Sequence, residues 1–129
     1  MQTQRLATIP IELIWDYREF KLDQVPATNQ AFTGVNRYDV MEVAEHIRDF
    51  GIEPVELSII GATALLTDGN HRIAAAKYLG YIDVPVVIKV LLGDGNFSDV
   101  RLSRFIPIND ELEYFLKKIF LKPVKGYSI

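Results

Sequence analysis

Residues 66–80 read LTDGNHRIAAAKYLG and join a turn, a polar triplet and an alanine-rich segment. The Asp-Gly pair is typical of a turn, and the segment after it predicts a helix that ends at Gly80. Three polar residues, Asn70, His71 and Arg72, stand at the start of that helix. Since a turn needs only the Asp-Gly pair, the triplet requires a separate explanation.

The start of this helix has the properties of an anion-binding site. The first backbone N–H groups of a helix have no partner within it, and the summed peptide dipoles place partial positive charge there. Gly69 lets a ligand approach the backbone, Arg72 offers a planar fork of donors, and His71 adds a donor and a proton carrier. The small alanines 74–76 let the helix pack close to a sheet, which fixes its start. The segment therefore predicts a phosphate-binding turn.

The same residues also allow a purely structural interpretation. Asp68 could cap the helix, Asn70 and Arg72 could face solvent, and His71 could fill a polar niche. Spacing alone leaves both interpretations open.

The composition excludes several kinds of chemical site. The chain of 129 residues is 49% hydrophobic and 24% charged, which predicts one globular domain over residues 1–129. It contains no cysteine, which excludes disulfides, thiolate metal sites and cysteine nucleophiles. The two histidines, His46 and His71, lack a zinc-binding spacing, and His46 is interpreted as a solvated residue.

Charge and hydropathy bear on the partners and the location of the protein. The net charge of −3 argues against a protein that coats nucleic acid through bulk charge, although a local basic patch remains compatible with it. No apolar run reaches the length of a membrane span, and the N-terminus lacks the apolar core of a signal peptide. We therefore expect a cytoplasmic protein without membrane contact.

Periodicity predicts an α+β fold, a compact mixed sheet with packed helices. A helix over 38–50 has Asp39 and Glu42 as a capping box and Gly51 as its stop. The other expected elements are strands over 8–15, 54–60, 62–67 and 84–92, a hairpin at Gly61, and helices over 70–79 and 110–121. A loop over 16–36 follows the first strand.

Residues 51–88, with the helix before them and IPIELI further upstream, resemble the ParB/sulfiredoxin-like superfamily, which includes ParB-like nuclease domains. The shared pattern is a helix, a Gly, a Pro-led strand, a hairpin, a Gly-x-x-Arg turn, an Ala-rich helix and a Val-rich strand. The resemblance covers residues 8–92 and leaves 106–129 as a helical extension. It implies binding of nucleotide phosphates at the turn, because ParB proteins bind CTP, sulfiredoxins use ATP, and a free-serine kinase of this fold transfers phosphate.

The resemblance also assigns roles to residues. It implies four phosphate contacts: Gly69, Asn70, His71 and Arg72. Asp68 would bind Mg²⁺ or orient a nucleophile, Glu53 would border the site as a second catalytic acid, and His71 is a weaker candidate for proton transfer. The implied cofactors are a nucleoside triphosphate, ATP or CTP, and Mg²⁺.

Departures from the family pattern exclude one subfamily and argue against a second. Sulfiredoxins carry a Cys where this chain has Asn70, so repair of sulfinic acid is chemically excluded. ParB proteins usually have Gly-Glu-Arg-Arg at the turn, followed by DNA-binding and dimerisation regions. Here the turn is Gly-Asn-His-Arg, the acid used in CTP turnover is missing, and only a short segment follows Leu92. We therefore do not expect a partition protein.

Three functions remain open. One is a small kinase or nucleotide hydrolase whose acceptor pocket involves residues 16–36. A second is a DNA-binding or phosphodiesterase module, for which the candidate contacts are Arg101, Arg104, Lys117, Lys118 and Lys122. A third is a nucleotide sensor or interaction domain without turnover. Association of two copies through the C-terminal helix also stays open.

Overall fold

The computed structural model of the chain describes residues 2–19 and 34–121, with side chains described at 3–19 and 40–120. Its elements, in chain order, are β1 (Gln2–Pro10), α1 (Ile11–Ile14), a 3₁₀ turn (Trp15–Tyr17), α2 (Gly34–Phe50), β2 (Val55–Ile60), β3 (Thr63–Asp68), α3 (Asn70–Tyr78), β4 (Asp83–Leu91), α4 (Asp99–Leu102), β5 (Ile106–Pro107) and α5 (Asp110–Leu121). No helix in the two described ranges is both long enough and apolar enough to cross a bilayer.

The strands form one mixed sheet in the order β1-β4-β2-β3-β5. Strands β2 and β4 run parallel, while the other three neighbouring pairs are antiparallel. The parallel pair is joined by a crossover through β3 and α3, so α3 must return along the sheet before β4 begins. This architecture confirms the α+β fold class.

Two buried clusters pack the helices. Core residues of β1, β2 and β4, such as Ile9, Leu57 and Ile88, pack with residues of α1, α3 and α5. A smaller cluster joins α2 to α3, where Ala74 and Ala75 lie against buried residues of α2. Ala76 belongs to the sheet cluster instead. The alanines therefore give α3 small side chains on two faces, so that it packs closely against both the sheet and α2.

The first predicted strand was misplaced. The sequence predicted a strand over 8–15, but the observed strand ends at Pro10 and a helical turn begins at Ile11. Ile11 and Ile14 are both buried in the sheet cluster, at the i, i+3 spacing of one helix face. The apolar run is consistent with a strand or a helix. The chain forms a helical turn because that turn buries Ile11 and Ile14 together.

The start of α2 also differs from its prediction. The helix begins at Gly34, so Asp39 lies inside it and the predicted capping box with Glu42 is wrong. The end is confirmed: Gly51 has a φ of +84°, and its N–H donates to the Ile47 carbonyl at 2.8 Å. The sequence did not predict α4 or β5. Most of the predicted loop 16–36 lies outside the described residues.

The remaining elements follow their predictions closely. β2 and β3 form the expected hairpin at Gly61, whose φ is +57°. α3 is followed by Gly80 at a φ of +86°, and α5 spans the predicted residues. The sequence therefore predicted correctly the region that presents the polar triplet.

Candidate functional site

A cleft of about 320 Å³ opens where the start of α3 meets α2. Six of its lining residues are those that the sequence assigned to a site: Glu53, Asp68, Gly69, Asn70, His71 and Arg72. Part of α2 forms the opposite wall through Val43, His46 and Ile47. The structure thus brings Glu53, which is remote from the turn in sequence, together with the whole turn.

Gly69 is required by the packing of the turn. It adopts a φ of +91°, and a Cβ placed on it would lie 2.6 Å from Cγ1 of Val55 and 3.1 Å from Cα of Val55. Any side chain at this position would therefore collide with β2. The sequence interpretation gave this glycine a role in ligand approach, whereas the geometry accounts for it through strand contact alone.

The turn directs its two neighbouring polar side chains differently. Gly69 occupies the N-cap position of α3, so the alternative in which Asp68 caps the helix is wrong. The exposed Asp68 side chain lines the cleft. Asn70 is buried, and its Nδ2 donates to the Leu66 carbonyl at 3.1 Å, which ties α3 to β3. A phosphate contact by Asn70 would therefore come from its backbone N–H.

Arg72 also lines the cleft. Its Nη1 donates to the Pro54 carbonyl at 2.6 Å, which places the guanidinium beside the Glu53 segment. A guanidinium carries five N–H donors in a planar fork, and this bond uses one of them. His71 is half-buried and lines the same cleft. Backbone, guanidinium and imidazole donors therefore meet in one concave site.

His46 is the residue that sequence reasoning missed. The sequence predicts a solvated residue, and His46 is exposed, with its ring centroid 4.9 Å from that of Phe50. It nevertheless lines the cleft opposite the turn. No local signal marks it, because its position depends on the packing of α2 against the alanines of α3.

The acids in the cleft bear on metal binding. Glu53 and Asp68 are exposed and line the same cleft. Among the described side chains, no group of three or more His, Asp or Glu residues converges as a ligand set. Mg²⁺ commonly binds through one or two carboxylates together with substrate phosphates and water. The two acids fit a metal that arrives with a phosphate ligand.

The predicted nucleic-acid contacts lie in two other places. Arg101 and Arg104 of the α4 region contact the Glu19 carboxylate, and Arg101 also donates to the Thr67 carbonyl. Lys117 and Lys118 are exposed on α5, with the Lys118 ammonium 4.4 Å from the Tyr114 ring centroid. Lys122 lies outside the described residues. A nucleic-acid phosphate at either arginine would have to compete with Glu19.

Comparisons with known proteins identify structural neighbours alone. No protein-family model matches the sequence, and no curated protein matches it significantly. The structure is similar to sulfiredoxin from Arabidopsis thaliana, with a TM-score of 0.43 and 21% identity over 65% of this chain and 83% of that one. It is also similar to a Pnob8-like ParB-N domain, with a TM-score of 0.48 and 15% identity over 92% of this chain and 38% of that one.

Both are structures of the kinds that the sequence resemblance names. The chain spans well under half the length of the ParB-N structure that it matches. At these identities and TM-scores, the two matches carry no argument about the ligands or activity of this chain. Any function must therefore be argued from the cleft itself.

Proposed function

We propose that the cleft binds the phosphate groups of a nucleoside triphosphate together with Mg²⁺. The observation that carries this proposal is the convergence of Glu53 with residues 68–72 around the start of α3. A start of a nine-residue helix favours negative charge through its dipole and its N–H groups. Arg72 adds charge-assisted donors at the same place.

The two acids explain why a metal belongs to the proposal. A triphosphate that enters a cleft containing the Glu53 and Asp68 carboxylates meets like charge, which opposes binding. Mg²⁺ supplies the positive charge that neutralises the phosphate oxygens. Asp68, with Glu53 of the same cleft, would hold the metal, while Arg72 and the α3 backbone would orient the phosphate chain. Nucleotide affinity should therefore depend strongly on Mg²⁺.

The same proposal extends from nucleotide binding to phosphoryl transfer. In transfer or hydrolysis, an acceptor hydroxyl or water attacks the terminal phosphorus, and the nucleoside diphosphate leaves. Asp68 would orient the nucleophile, His71 would take up its proton, and Arg72 would stabilise charge on the transferred group. A protein that binds nucleotide without turnover would use the same contacts, so binding is the function proposed first.

The nucleic-acid hypothesis draws on a different surface. Apart from the two arginines that contact Glu19, its candidates among the described residues are Lys117 and Lys118 of α5. Lys118 lies in the last turn, where it complements the helix dipole. This ordinary role accounts for Lys118 without a nucleic-acid ligand. DNA binding is therefore an outcome of the experiment below, not a second proposal.

Calorimetric titration with ATP, CTP and single-stranded DNA, each with and without Mg²⁺, tests the proposal. We expect a nucleotide to bind in Mg²⁺ and Arg72→Ala to weaken it at least about tenfold. The matched control is Arg48→Ala, since Arg48 is exposed on α2 but does not line the cleft. Phosphate release then separates an enzyme from a sensor. Binding of DNA alone, with steep salt dependence, would overturn the proposal.

A further inference from the structure

A second cleft, of about 430 Å³, lies on the sheet face that points away from the core. Val55, Leu57 and Ile59 of β2 are buried in the core, so Glu56 and Ser58 between them point to the other face. Lys89 of the adjacent strand β4 pairs in register with Ser58, so its side chain lies on the same face of the sheet as Glu56 and Ser58. This cleft shares no lining residue with the proposed nucleotide site.

A hydrogen-bonded chain forms the polar floor of this second cleft. Thr67 Oγ1 donates to Glu56 Oε1 at 2.8 Å, so the 2.8 Å bond between Ser58 and Thr67 must have the Ser58 hydroxyl as its donor. Lys89 Nζ lies 2.7 Å from Glu56 Oε2. Ser58 and Thr67 are buried. They fix the Glu56 carboxylate in one orientation, with the Lys89 ammonium beside it.

Both charged groups retain binding capacity toward the cleft. The side chains of Lys89 and Glu56 are 27% and 26% exposed. An ammonium has three donors and a carboxylate about four acceptor positions, and the contacts above occupy only part of each set. A positive and a negative group therefore stand side by side on a floor whose net charge is zero.

Apolar side chains line the same cleft as this pair. They belong to Leu91, the exposed Leu92 and the half-buried Phe97. The turn at Gly95 is tightly packed, because a Cβ on Gly95 would lie 2.7 Å from Leu91 Cδ1 and 3.3 Å from Phe97 Cε2. This apolar lining is therefore formed before any ligand arrives, which reduces the entropic cost of binding.

We propose that this second cleft binds a zwitterionic α-amino acid with an apolar side chain. Such a molecule carries its ammonium and carboxylate on one carbon atom, which matches the adjacent Glu56 and Lys89. Its side chain would lie against Leu92 and Phe97. A ligand with only one of the two charges would leave one member of the pair competing with it, so it should bind more weakly.

Ligand analogues test the proposal on the unaltered protein. L-Phenylalanine, 3-phenylpropionate and 2-phenylethylamine share a ring but differ in charge, and each is titrated while backbone amide resonances are followed. We expect L-phenylalanine to shift amides of residues 89–97 saturably and to bind at least about tenfold more tightly than either analogue. Equal binding of the three, or no saturable shift with L-phenylalanine, would overturn the proposal.

Variants locate the site and keep it distinct from the nucleotide cleft. Lys89→Met should weaken L-phenylalanine binding at least about tenfold, whereas Lys117→Met, on the exposed face of α5, should not. Leu92→Asn is a second variant; because Leu92 is exposed, the change should leave the fold intact, and it should also weaken binding. Arg72→Ala should leave L-phenylalanine binding unchanged, so failure of one proposal does not entail failure of the other. Unaltered binding in both Lys89→Met and Leu92→Asn would contradict this site.

Discussion

Arg101 and Glu19 lie 82 positions apart in the sequence and form a bidentate ion pair. Arg101 Nε and Nη2 donate to the two carboxylate oxygens at 2.9–3.1 Å, and Nη2 also donates to the Thr67 carbonyl. The Glu19 side chain is only 4% exposed. One guanidinium therefore ties the chain after the 3₁₀ turn to the strand that ends at Asp68.

Removal of this guanidinium should destabilise the fold. Arg101→Ala leaves a nearly buried carboxylate with Arg104 as its remaining cationic contact, and we expect a loss of about 2–4 kcal/mol in the free energy of unfolding. Arg104→Ala is the matched control, because Arg104 is 43% exposed and makes one hydrogen bond to Glu19, so its loss should be about 1 kcal/mol or less. Urea denaturation measures both. Equal losses would show that the bidentate geometry contributes nothing specific.

Gly69 should tolerate no side chain. Gly69→Ala combines an unfavourable φ with the collision against Val55, and we expect it to cost about 2–4 kcal/mol in unfolding free energy. Gly51→Ala has a similar φ but nothing within 4 Å of the added Cβ, so it should cost only about 1 kcal/mol. The difference between these two variants isolates the contact with β2. A loss for Gly69→Ala no greater than that for Gly51→Ala would contradict the packing.

The alanine contact between α3 and α2 should resist enlargement. Ala75 is fully buried between these helices, and Ala75→Leu should lower the free energy of unfolding by about 1–3 kcal/mol because the helices must separate. Nucleotide affinity should fall as well, since the cleft lies between the same helices. Glu45→Leu, on the exposed face of α2, should change stability by less than about 0.5 kcal/mol. A stable Ala75→Leu variant with unchanged nucleotide affinity would refute this link.

Asp68 should affect nucleotide affinity in opposite directions with and without Mg²⁺. In Mg²⁺, Asp68→Asn removes a metal ligand, and we expect affinity to fall at least about tenfold. Without Mg²⁺, the same change removes a negative charge that repels phosphate, so affinity should rise. Calorimetry in Mg²⁺ and in chelator measures both. Asp83→Asn, an exposed residue at the start of β4, provides the control and should change neither affinity. A fall under both conditions would remove Asp68 from the metal site.

Local sequence signals predicted the turn, the hairpin and the main helices, because Gly, Pro and apolar spacing act within a few residues of themselves. The family resemblance, and not a local signal, placed Glu53 at the site. Local signals failed where the outcome depends on distant partners. The helical turn at Ile11 follows from burial in a core that seven other elements build, and His46 reaches the cleft only through the packing of α2 on α3.

The direction of side chains was the other feature that the sequence did not predict. The sequence could not show that Asn70 points inward to the Leu66 carbonyl, or that Arg101 is engaged by Glu19. Both outcomes depend on which acceptor lies within reach once the chain has folded. Spacing indicates which residues share a turn, but hydrogen-bond partners are decided by three-dimensional neighbours.

The most direct measurement is the change in backbone amide resonances when Mg²⁺ and ATP, and then CTP, are titrated into the unaltered protein. We predict that one of these nucleotides produces saturable shifts that are largest at Gly69, Asn70, His71 and Arg72, with smaller shifts at His46, which lines the same cleft. Shifts centred on Lys117 and Lys118, or none at the start of α3 with either nucleotide, would contradict it.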